Sequence, residues 1–187
     1  SGIGALAVAN TATRAQYHNG DSPRKVESGN VKFIGNESKV YRTGRKIMGT
    51  QVVEPGPWQV SYQSGWGRQT MDISSFQVVA LWIRASREST EDIVLELQDD
   101  PTFGTPSTTP GLPLIAGGFV PGGKFTEEFK QIVIPVSKLI GGSETFHPSI
   151  LRCLLISGKA GAPIDYYIDK IVLYDSAEAA VSDVEGQ

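Results

Sequence analysis

The stretch from Met71 to Gln98, MDISSFQVVALWIRASRESTEDIVLELQ, constrains the fold of this chain more than any other. Val79, Leu81 and Ile83 alternate with Ala80, Trp82 and Arg84. After a charged turn, Ile93, Leu95 and Leu97 alternate with Val94, Glu96 and Gln98. Side chains of a strand point to opposite faces with period two, so each segment has one aliphatic face. That face builds a core. The other gathers Trp82, Arg84, Glu96 and Gln98: an aromatic ring, a cation, an anion and an amide. This is an unusual load for a solvated sheet, and it marks the place to look for a ligand.

The rest of the chain repeats the pattern in short pieces. Residues 4–9 and 31–34 have the apolar character of strands, and residues 40–45 and 47–53 suit a hairpin turning near Thr43 and Gly44. In residues 58–63, Trp58, Val60 and Tyr62 alternate with Gln59, Ser61 and Gln63, before Gly65-Trp66-Gly67 interrupts the run. Residues 129–136 form a strand whose Pro135 suits a sheet edge or a bulge, because proline cannot donate to a ladder. Residues 150–157 and 166–174 are the last two strands. Between them and the organising pair, residues 99–124 have no clear period, a length expected of a functional or mobile loop. No stretch of ten residues has helical periodicity, and frequent turn signals separate some nine to eleven strands. The fold class is therefore all-β, a β-sandwich or barrel, and a two-sheet antiparallel β-sandwich, or jelly roll, is the architecture expected. The domain is expected to span residues 1–175, with 176–187 an acidic tail or linker.

With 187 residues and 40% hydrophobic content, the chain has enough material for one sizeable core. Its net charge of -3 argues against nucleic acid or an anionic membrane surface as partner. No apolar run approaches the roughly 18 residues needed to cross a bilayer. The N-terminal SGIGALAVAN lacks the basic start of a signal peptide and suits the beginning of a module excised from a longer precursor. The single Cys153 cannot form an internal disulfide and is expected to be an inert core residue. His18 and His147 show no zinc-site spacing. No nucleophile elbow, zinc-protease motif or phosphate loop is present. A glycosidase pair would have to come from separated residues, since adjacent carboxylates such as Asp99-Asp100 face opposite ways in a strand.

Aromatic residues carry the positive signal. Trp58 and Tyr62, in phase with Val60, suit the core. Trp82, out of phase with three aliphatics, suits the outer face. An outward ring flanked by Arg and amide groups fits a sugar, whose C–H face stacks on the ring while polar side chains bind hydroxyls. If the two central strands face one cleft, Trp82, Arg84, Glu96 and Gln98 surround a groove, with Tyr62 or Tyr167 as further platforms. The opposite arrangement, with Trp82 in the core and the aliphatics outside, remains open at this stage.

The order MDISSF, then a strand with Trp-Ile-Arg, VLELQDD, FKQIVIPVSKL and YYIDKIVLYD resembles the jelly-roll carbohydrate-binding modules, especially families 11, 4 and 22. The resemblance covers roughly residues 72–174. Phe129 stands where those families have Trp, and residues 99–124 have no counterpart in them. What it implies is a non-catalytic module that docks on a β-glucan-like polysaccharide, with neighbouring domains in a secreted glycan-degrading enzyme. It also implies a structural calcium, with Asp169 and Asp175 the nearest ligands by motif, since calcium takes six to eight oxygens. Two other readings suit the same fold: a polysaccharide lyase or hydrolase, and a structural or assembly protein.

Overall fold

The computed structural model describes residues 7–9, 14–16, 24–25, 31–34, 49–63, 70–100 and 104–182. These form two packed sheets. The five-stranded sheet contains β3 (Arg24–Lys25), β6 (Gly56–Gln63), β8 (Ile93–Asp99), β9 (Leu112–Pro113) and β11 (Leu151–Ala160), in the order β3-β6-β11-β8-β9. The seven-stranded sheet is built on β7 (Val78–Ala85), β10 (Lys130–Pro135) and β12 (Ile164–Tyr174). β7 lies between β10 and β12. The other side of β12 is shared. Its first half pairs with β5 (Gly49–Val52), which in turn pairs with β4 (Val31–Ile34); its last residues pair with β1 (Ala7–Ala9), which continues to β2 (Arg14–Gln16). The β1–β12 pair is parallel, an exception in otherwise antiparallel sheets.

The predicted alternations set the layers. Val79, Leu81 and Ile83 of β7 meet Ile93, Leu95 and Leu97 of β8 in one core with Val60, Ile132, Ile134, Leu154 and Ile156. Trp58 and Tyr166 stack at the centre, with ring centroids 5.3 Å apart, and Phe125 meets Tyr166 edge-on. Gly158 pairs in register with Trp58, and a Cβ there would lie 2.9 Å from the indole nitrogen. A side chain at this position would evict the ring, which is why a strand interior tolerates glycine here. Pro135 closes β10, an edge strand as expected, and a short helix α1 (Val136–Ile140) follows with Val136 and Leu139 buried. The hairpin expected over residues 40–53 has its first arm outside the described residues, and its second arm, β5, pairs with β4 and β12 instead.

Two expectations need correction. Residues 104–124 are a packed segment, not a mobile loop. Leu114, Val120 and Phe125 anchor it in the core, and Thr109 Oγ1 accepts the Leu97 amide. The carboxylate of Asp92 accepts the amides of Ile93, Ile115 and Ala116, and buried Asp99 accepts those of Ser107 and His147. Likewise, the domain does not end at residue 175. Helix α2 (Ala177–Ser182) packs back on the seven-stranded sheet, burying Ala180 against Val78, Ala80, Val172 and Tyr174.

Candidate functional site

β7 and β8 follow one another in the chain but lie in different sheets. Their outward residues therefore face opposite sides of the sandwich. Trp82 and Arg84 look out from the seven-stranded sheet, Glu96 and Gln98 from the five-stranded one. The single groove expected of these four residues does not exist. Tyr62 is corrected too: it is 3% exposed, in the core, and its hydroxyl pairs with Thr50 across the sandwich. Burial pushes that hydroxyl far above its usual pKa, and the Thr50 bond offsets only part of the effect.

On the seven-stranded face the structure brings Trp82, Arg84 and Tyr167 together. Tyr167 pairs with Arg84, and Trp82 lies between Gln131 and Asp169 in register. The Arg84 guanidinium carbon sits 5.7 Å from the Tyr167 ring centroid and 5.9 Å from that of Phe129, so two rings cage the cation. Arg84 Nε is buried and has no hydrogen-bond partner. Desolvation raises the pKa of Asp165, opposed by hydrogen bonds with Gln51 and Tyr167. The other half of this face is sealed by α2. Arg84, Phe129 and Tyr167 are in contact with one another on it.

The five-stranded face is arranged differently. β11 is central, and its outward residues line up with those of β6 and β8 in rows. One row runs Gln59, Ser157, Val94; the next runs Ser61, Leu155, Glu96; the third joins Cys153 to Gln98. Ser61, Cys153 and Leu155 are on this outward side yet 3%, 5% and 6% exposed, forming a shielded floor outside the main core. Gln59, Val94, Glu96, Gln98 and Ser157 are half-buried around it. Gln98 donates to Thr108 Oγ1, and its amide oxygen accepts from Cys153 Sγ at 3.7 Å. Cys153 is buried, as expected, but on the outward side of the sheet and not in the cluster between the sheets. Desolvation holds its thiol up to about 11, with Arg152 lowering and Asp100 raising it by smaller amounts.

Amides, hydroxyls and one carboxylate around a small apolar floor can donate to and accept from hydroxyl groups while covering C–H surface. Gln59 and Ser61 were visible as outward positions of their strand. Their grouping with Glu96 and Gln98 was not, because β6, β11 and β8 are adjacent only in space. Trp66 lies outside the described residues.

Of the two carboxylates expected as calcium ligands, Asp169 lies within β12 and Asp175 just past its end. Asp169 and Asp175 are six residues apart along extended chain, roughly 20 Å. Among the described residues, no group of three or more His, Cys, Asp or Glu side chains could hold a metal.

No family model and no curated protein sequence matches the chain. Solved structures do. A family 30 carbohydrate-binding module superposes with a TM-score of 0.63 at 19% identity, over 80% of this chain and 92% of that one. The family 11 module from Clostridium thermocellum, in complex with a β-1,3-1,4-mixed-linked tetrasaccharide, gives 0.53 at 12% identity, over 81% and 86%. A β-1,2-glucanase from Parabacteroides distasonis gives 0.53 at 14%, over 78% of this chain but only 22% of the enzyme. Family 11 is one that the sequence motifs resemble; family 30 is not. At these identities the likeness shows the fold, and that fold is the β-sandwich of carbohydrate-binding modules.

Proposed function

We propose that this protein is a non-catalytic carbohydrate-binding module that holds a β-glucan-like chain on the outer face of its five-stranded sheet. The observation that carries the reading is the set of registered rows around Leu155. Glu96 and Gln98, expected from the sequence, bind sugar hydroxyls there together with Gln59 and Ser157, and Val94 and Leu155 cover the C–H faces. The fold likeness to family 30 and family 11 modules supports it. In this reading the module works outside the cell beside a catalytic domain.

The hydrolase reading is weaker on geometry. The described carboxylates associated with this face are Glu96 and Asp100, four residues apart and therefore roughly 13 Å along extended chain. Glycosidase carboxyl groups stand about 5 to 9.5 Å apart. Asp100 is also engaged by Arg152.

Affinity electrophoresis through gels loaded with mixed-linkage β-glucan, other β-glucans and unrelated polysaccharides tests the proposal. Retardation by a β-glucan, without release of reducing ends, is expected. Migration unchanged in every gel would remove the binding function, and sugar release would restore the enzyme reading.

A further inference from the structure

We infer that Arg152 and Asp100 form a hydroxyl-recognising subsite at the Gln98 end of the five-stranded face; this rests on the binding reading above. The starting point is a break in the ladder. Leu151 pairs with Asp99, yet Cys153 pairs with Gln98, so Arg152 is the extra residue of a β-bulge. Bulges re-aim side chains and are frequent beside functional sites. Here the bulge sets a guanidinium next to the outward Cys153, whose thiol senses both Arg152 and Asp100.

The pair is unfinished. Arg152 Nη1 stands 3.8 Å from Asp100 Oδ2, beyond hydrogen-bond length. Nη1 is buried and has no hydrogen-bond partner, although its side chain and that of Asp100 are only 17% and 23% exposed. A buried donor without an acceptor is costly, and most such groups in folded proteins are satisfied. The gap suits a group that accepts from the guanidinium and donates to the carboxylate at once. A hydroxyl does both. A carboxylate or sulfate would satisfy Nη1 but would be repelled by Asp100, and further along the face by Glu96. The subsite therefore selects a neutral sugar, held through a hydroxyl bridging the two charged groups. An ordered water is the competing occupant.

Calorimetric titration of the β-1,3-1,4-mixed-linked tetrasaccharide into wild type, Arg152→Lys, Asp100→Asn and the double variant tests this, with each unfolding midpoint measured alongside. Lysine keeps the charge but not the planar fork of donors. Each single variant is expected to bind at least fivefold more weakly with an unchanged midpoint. The double variant should lose less than the product of the single losses, because one hydroxyl serves both partners. Single variants binding within twofold of wild type would leave a water in the gap and overturn the subsite while the binding face stands. Wild type that binds no glucan would overturn the face itself and the subsite with it.

Discussion

The two outer faces of this sandwich follow one sequence rule and end in opposite states. On both, alternate residues of the central strands point into the core, and a mixture of polar, aromatic and apolar ones points out. On the seven-stranded side, α2 covers Val78 and Ala80, and Arg84 sits between Phe129 and Tyr167. On the five-stranded side, side chains from β6, β11 and β8 stand in register, half-buried around a shielded floor. An aromatic ring and an arginine on an outward face are thus no mark of a ligand surface by themselves. What distinguishes the two sides is whether neighbouring elements already use the outward groups.

That contrast can be broken at several points. The largest effect belongs to neither face. Tyr166→Ala empties the stack with Trp58 and Phe125 between the sheets and should cost about 3 to 5 kcal/mol of folding stability in denaturant titration. Glycan binding and the seven-stranded face should then fail together at a lower denaturant concentration. On the five-stranded face, Glu96→Ala and Gln98→Ala should each weaken glucan affinity by about 1 to 3 kcal/mol, with little change in melting temperature. Loss of melting temperature with unchanged affinity would reassign these residues to structure.

Trp82→Ala is the mirror experiment. It should lower stability by about 1 to 2 kcal/mol through lost apolar contact, leaving affinity within twofold of wild type. Arg84→Ala removes the caged cation and should cost about 1 kcal/mol, again without effect on binding. The smallest change is kinetic. Because the Cys153 thiol is held up to about 11, little thiolate exists at pH 8, and iodoacetamide should label it far more slowly than free cysteine. Bound glucan should slow labelling further, since Cys153 lies on the floor of the face; equal rates with and without sugar would place the ligand elsewhere.

Much of the architecture was legible because strand alternation is local. The segments containing β6, β7, β8, β10, β11 and β12 could be placed from period-two patterns, and Pro135 pointed to an edge. The inward direction of Trp58 and Val60 and the outward direction of Trp82 followed from phase alone. What the sequence could not express was which strands share a sheet. β7 and β8 are sequence neighbours with matching patterns, yet they face each other across the core. The packed 104–124 segment escaped because its anchors, Asp92 and Asp99, act through long-range bonds to backbone amides that have no periodic signature. Helix α2 escaped because six residues are too few to show a period; it forms on a sheet that buries Ala180. The bulge at Arg152 is a property of the pairing and cannot be seen in either strand alone.

The most direct measurement is an amide and side-chain NMR titration with the mixed-linked tetrasaccharide. The account predicts that shifts concentrate at Gln59, Ser61, Val94, Glu96, Gln98, Cys153, Leu155 and Ser157, with the Trp82 indole and the Arg84 and Tyr167 signals unmoved. Shifts centred on Trp82, Arg84 and Tyr167, with the five-stranded face silent, would contradict it.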